Sequence, residues 1–130
     1  MDPGRLWRIA LLARRILLLW VICSPAWAQE LRILVQDSPL AGFRYYAAAE
    51  VWRELRVGDR LELAREHSNP HDGNAVAVLW RGHKLGYVPR RDNAALAWGL
   101  DRGAPLRARI SGLAGHANPA RRVRFEVYVE

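Results

Sequence analysis

Residues 65–79 read REHSNPHDGNAVAVL: eight polar or turn-prone residues, 67–74, set between two strand-like runs. A loop of that make-up can be a metal site, a catalytic pair, one wall of a ligand pocket, or an ordered turn. His67 and His71 stand four apart with Asp72 beside the second, so these three are the candidate metal ligands. The His-x3-His spacing ligates metal when both rings share one helical face. Asn69-Pro70 intervenes here, and proline removes a donor while biasing Asn69 away from helix, so no metal is expected. Ser38, Ser68 and Ser111 lie in no nucleophile-elbow context. There is no Gly-rich loop ending in Gly-Lys-Ser/Thr, and the chain has no threonine. As a turn, the loop has a mechanism at each position: Asn69-Pro70 opens it, Asp72 bonds its own backbone, and Gly73-Asn74 is expected to supply positive φ.

Outward from the loop, the pattern is one of short strands. In 122–129 the apolar residues Val123, Phe125, Val127 and Val129 alternate with polar or amphipathic ones, the period of a strand with one buried face. Residues 106–110 repeat it, with Leu106, Ala108 and Ile110 inward, and 60–65 alternates too. Residues 31–35, 75–80 and 84–88 are short apolar runs, and 79–85 reads as a hairpin about Arg81-Gly82. One helix stands out over 89–102, with Pro89 in the first turn and Gly103 to close it. Residues 47–55 are a weaker helical or extended piece. The predicted architecture is mainly β: a small OB-like β-barrel with one inserted α-helix, spanning 29–130.

Residues 1–28 read as a signal peptide with its own helix. Arg5, Arg8, Arg14 and Arg15 form a basic n-region, 16–23 an apolar h-region, and Ala26-Trp27-Ala28 supplies small residues at the two positions a signal peptidase reads, so cleavage would leave Gln29 first. The apolar stretch of 13 residues, 16–28, is short of the roughly 20 a spanning helix needs. An exported, periplasmic or secreted protein without a permanent membrane span is therefore expected. With Arg5, Arg8, Arg14, Arg15 and Asp2 removed, 16 Lys+Arg face 12 Asp+Glu and the net charge falls from +7 to about +4. Nearly all the positive charge is arginine, a balance that suits polyanions. The single cysteine, Cys23, lies in the leader, so the remainder has no disulfide, no thiolate nucleophile and no Cys-based zinc site.

The residues of the loop and its flanks resemble those of the HIRAN domain. The segment "LAGFRYYAAAEV", then "LELAREHSNPHDGNAVAVLWRGHKLGYVPRRDNAALAWGLDRG" and "LRARI", carry the similarity over 38–113. Its most specific part is Arg65-Glu66 with Asn69-Pro70-His71-Asp72, followed by Asn74-Ala75-Val76-Ala77-Val78 and Leu85-Gly86-Tyr87-Val88-Pro89. The resemblance implies a non-catalytic OB-related barrel that binds single-stranded DNA and, in eukaryotic examples, its 3′ end. It implies a binding site made of Arg44, Tyr45, His71, Asp72, Tyr87 and Arg90, with His71 where the family more often has tyrosine. Arg44 and Arg90 suit phosphate, Tyr45 and His71 offer stacking faces, and Asp72 can accept a hydrogen bond from a terminal ribose hydroxyl. No cofactor is expected, and any ATPase or zinc function of HIRAN-bearing proteins belongs to other domains. The expected partner is single-stranded DNA or another polyanion. The alternative is an envelope protein that uses the same barrel to bind a protein, a glycan or an anionic polymer.

Overall fold

A computed structural model of the chain describes residues 33–130; the signal peptide expected over 1–28 lies outside them. Alternation builds the strands as the sequence predicts. Val123, Phe125 and Val127 are buried on one face of the last strand while Arg124 stays exposed, and Ala108 and Ile110 are buried beside exposed Arg107. Among the described residues six strands result: β1 (Ile33–Pro39), β2 (Arg60–Arg65), β3 (Val76–Trp80), β4 (His83–Tyr87), β5 (Leu106–Leu113) and β6 (Val123–Val129). They form one antiparallel sheet in the order β1-β6-β5-β2-β3-β4. Leu61, Val76, Val78, Leu85, Ile110, Phe125 and Val127, drawn from five of these strands, share a single hydrophobic cluster with Leu40, Phe43, Leu55 and Leu96.

The sheet is not the closed barrel expected from the sequence. β1 and β4 remain the two edges of the described sheet, and the chain beyond β1 reaches β4 by one bond from Ala47 N–H to the Lys84 carbonyl and by a single β-bridge. At the bridge Ala41 N–H donates to the Tyr87 carbonyl and Tyr87 N–H to the Ala41 carbonyl, both at 2.9 Å. Pro39 has no N–H with which to extend a ladder, and Gly42, at φ 81°, turns the chain into a 3-10 turn over Phe43–Tyr45. The bridge also demands a glycine. A Cβ on Gly86 would lie 2.2 Å from the Ala41 carbonyl oxygen.

Two helices lie among the described residues. α1 (Ala48–Val51), continued by a 3-10 turn over Trp52–Glu54, makes the 47–55 piece helical. α2 (Ala94–Asp101) starts later than the expected Pro89. Pro89 is extended at ψ 137°, and a 3-10 turn over Arg90–Asp92 precedes the helix proper. Its end follows the expectation: Gly103, at φ 76°, donates to the Leu100 carbonyl while Ala104 N–H reaches Gly99, a Schellman closure. The hairpin turn has Arg81 and Gly82 both at positive φ, 47° and 81°, the type I′ geometry that matches strand twist. Among the described residues no helix is long and apolar enough to cross a membrane.

Candidate nucleic-acid interface

The loop between β2 and β3 is an ordered turn built by its own side chains. Asn69 Oδ1 accepts from the N–H groups of His71 and Asp72, at 2.9 and 3.2 Å, bending the chain around Pro70. Asp72 Oδ1 accepts from Asn74 N–H at 2.9 Å, and Ala75 N–H returns to the Asp72 carbonyl. Those bonds close the turn without left-handed residues: the positive φ expected at Gly73-Asn74 is not used. Arg65 clamps the far side. Its guanidinium donates to the carbonyls of Ala75 and Gly73 and pairs with Asp101 at the end of α2.

The loop stands over a pocket of about 250 Å³ that Tyr46, Asn69, His71, Asp72, Tyr87 and Arg90 help to line. Asp72 is fixed from two sides, since the buried Asn93 side chain donates to Oδ2 at 2.7 Å. The Asn74 N–H first, then Asn93 and the charges of Arg90 and Arg65, hold the Asp72 carboxyl below its ordinary range. An ionised acceptor is thus presented beside a guanidinium. Behind the pocket Lys84, Glu66 and Tyr87 form a closed triangle: Lys84 Nζ lies 2.7 Å from both Glu66 Oε2 and the Tyr87 hydroxyl, which donates to Glu66 Oε1 at 2.6 Å. Burial pushes Glu66 upward, but the bonds from Lys84, Tyr87 and Asn69 outweigh it and leave the carboxyl below its usual range. Burial and the bond to Glu66 raise the Tyr87 phenol. Tyr46 meets Tyr87 edge-to-face at 5.3 Å, and the Lys84 ammonium sits over both rings at 4.9 and 4.6 Å.

The sequence profile of the HIRAN domain matches residues 33–130. The chain belongs to the HIRAN domain family. Two solved structures share its fold. A protein from Lactobacillus plantarum is 27% identical with TM-score 0.66, covering 76% of this chain and 95% of its own. The HIRAN domain of human HLTF is 19% identical with TM-score 0.56, covering 78% of this chain and 83% of its own. Comparison with curated proteins gives no significant match. The family match runs past both ends of the 38–113 similarity, taking in all of β1, whose Ile33, Leu34 and Val35 are exposed, and β6, whose alternation carries packing and no motif.

Within this HIRAN domain, four of the six residues predicted to bind come together: His71, Asp72, Tyr87 and Arg90 line the one pocket. Arg44 and Tyr45 do not join them. They line a second pocket of about 230 Å³ with Gly42, Asn118, Pro119 and Ala120, and it is the next residue, Tyr46, that enters the first. The reason is the 3-10 turn over Phe43–Tyr45: Phe43 points into the core, leaving Tyr45 81% exposed and Tyr46 folded back on Tyr87. The three candidate metal ligands also part. His67 Nε2 lies 2.7 Å from Asp101 Oδ1 while Asp72 is turned to Asn93, and among the described residues no three His, Cys, Asp or Glu side chains are grouped to hold a metal.

Sequence reasoning missed Asn93, Lys84 and Tyr46 as parts of the site, and it marked Glu66 only as part of the motif, with no role. Asn93 sits at the start of a helix, where its side chain normally caps that helix; it makes no such bond and serves Asp72 instead. The one available signal was Lys84 itself, the only lysine in an arginine-rich chain.

Proposed function

We propose that this HIRAN domain is a non-catalytic module that binds single-stranded nucleic acid and receives a free 3′ end in the Asp72 pocket. The observation that carries the reading is the juxtaposition of a fixed, ionised Asp72 with Arg90 and the Tyr46–Tyr87 pair in one cleft. A terminal ribose hydroxyl needs an acceptor, the adjoining phosphate needs a cation, and the base needs an aromatic face. Each carboxylate oxygen of Asp72 has acceptor capacity beyond its one bond to Asn93 or Asn74. Tyr45, beside Arg44, would then stack the preceding base, so that the predicted Arg-Tyr pair serves a second nucleotide. On the reading of residues 1–28 the domain works outside the cytoplasm, and mass spectrometry finding Gln29 as the first residue would support that placement.

The test is fluorescence anisotropy with labelled short oligonucleotides, with a free or a phosphate-blocked 3′ end, at about 50 mM salt. Stacking is worth about 1–3 kcal/mol per base, so Tyr46→Ala should weaken binding by about tenfold or more. Asp72→Asn should erase the preference for the free end. Equal affinity for free and blocked ends would end the end-recognition claim. Absence of any binding by the unaltered chain would end the whole proposal.

A further inference from the structure

We infer that the arginine-lined cleft beside the second pocket, holding Arg91, Arg121 and Arg124, is a phosphate-binding track for the part of a polynucleotide strand upstream of the 3′ end. The inference rests on the nucleic-acid reading above and extends it to a site with no counterpart among the predicted binding residues.

The cleft has a volume of about 450 Å³ and is lined by Pro39, Arg91, Asn118, Ala120, Arg121 and Arg124. Among the described residues no carboxylate lines it. Its position follows from two connections in the chain. Asn118 and Ala120 line both this cleft and the Arg44–Tyr45 pocket, so the two adjoin. The 3-10 turn over Arg90–Asp92 sends Arg90 to the Asp72 pocket and the next residue, Arg91, to this cleft. The segment 41–46 meanwhile supplies walls to the Asp72 pocket and to the Arg44 pocket. A strand whose end sits against Asp72 would thus run over segment 41–46, past Tyr46 and Tyr45, to reach Arg121 and Arg124.

The arginines are available for such a strand. Arg121 is exposed and its side chain makes no hydrogen bond or ion pair among the described residues, and the same holds for Arg44. Arg124 has a contact to Asp37 at 3.3 Å with both side chains about half exposed, and Arg91 one to its neighbour Asp92 at 3.4 Å. Exposed ion pairs of that length exchange readily for a phosphate oxygen. By contrast Arg122, in the same stretch, is spent on structure: it donates to the His116 carbonyl and lies over the Phe43 ring. Asn118 caps the turn through its side chain, which holds Arg121 at the rim. Fixed cations along a groove that tracks the backbone, next to aromatic platforms, are what sequence-tolerant single-strand binding requires.

The experiment compares labelled oligothymidylates of three and ten nucleotides, each with a free 3′ end, on the full chain across a salt series. The unaltered chain should bind the longer oligonucleotide at least tenfold more tightly. The double variant Arg121→Gln with Arg124→Gln should bring the longer one close to the affinity of the shorter, leave the shorter unchanged, and reduce the salt slope by about 1.4, at about 0.7 per phosphate contact for single strands. Arg121→Glu alone should weaken the longer oligonucleotide further. Arg53→Gln with Arg107→Gln removes the same charge elsewhere and should have little effect. If both double variants act alike, or if length brings no gain, the track is overturned while the end-binding proposal stands. If neither oligonucleotide binds the unaltered chain, or inorganic polyphosphate binds where DNA of equal charge does not, both fall.

Discussion

At the scale of single residues, the site is a set of side chains diverted from their ordinary local duties. Asn93 is the clearest case, a buried amide in the cap position that holds Asp72 instead of α2. Asn93→Ala leaves a buried space and strips a carboxylate oxygen of its donor, a change that costs about 1–3 kcal/mol. It should also let the Asp72 pKa rise toward the ordinary carboxylate value, because one of the bonds favouring the charged form is gone; an NMR pH titration of the Asp72 carboxyl checks this. The Glu66–Tyr87–Lys84 triangle gives a second prediction. Burial and the Glu66 bond hold the Tyr87 phenol above its normal value, so Glu66→Gln should move its titration down, visible as tyrosinate absorbance at lower pH. An unmoved titration would mean that burial alone sets it. None of this was legible residue by residue. A sequence shows that Asn93, Glu66 and Lys84 are polar, but the pairings of Asn93 with Asp72 and of Glu66 with Tyr87 and Lys84 cross between elements far apart along the chain. The choice between Tyr45 and Tyr46 depends on one 3-10 turn whose phase no periodicity encodes.

The elements themselves were more legible, and the reason is physical. Strand alternation is set by which side chains water must leave, so β2, β5 and β6 announce themselves at their own positions. The type I′ hairpin follows from a glycine placed between two apolar runs, although Arg81 takes a left-handed conformation beside it. What failed were features set by distant contacts. The start of α2 slipped because Pro89 serves the strand end before it and not the helix after it. Closure of the barrel failed because it depends on what happens after Pro39, where the chain keeps one bridge to β4 and one bond from Ala47 but runs through a 3-10 turn between them and forms no ladder. That bridge makes a sharp prediction. In Gly86→Ala the new methyl would sit 2.2 Å from the Ala41 carbonyl oxygen, and neither backbone is free to move without breaking the paired bonds at 2.9 Å. The cost should be about 1–3 kcal/mol, or a fall in Tm of roughly 10 °C for a domain this size. Oligonucleotide affinity should fall as well, since residues 41–46 wall both pockets. A loss of affinity at unchanged Tm would show that the bridge only shapes the site.

Across the whole molecule, two kinds of stabilisation are segregated. The cluster under the sheet is apolar, whereas the 65–75 loop hangs on carboxylates: Glu66 to Lys84 and Tyr87, Asp72 to Asn74 and Asn93, Asp101 to Arg65 and His67. The Arg65 bond first, with His67, lowers the Asp101 carboxyl, and Glu66 and Asp72 are lowered as well. A folded-state pKa below the unfolded value means that the folded form binds fewer protons. The stabilisation is therefore fully present above the unfolded carboxylate values of about 4, and it is lost as pH falls through the lowered folded values. Acid should accordingly release the loop before the sheet. Hydrogen exchange followed from pH 6 downward, corrected for intrinsic rates, should show amides of 66–75 losing protection below about pH 4, while those paired between β5 and β6 keep theirs. Asp101→Asn should shift the loop's opening upward in pH and leave the sheet untouched, because it removes one carboxylate clamp and no core contact. Simultaneous loss of protection in loop and sheet would mean that the loop is an integral part of the folding unit, and the pocket wall would then be as rigid as the core behind it.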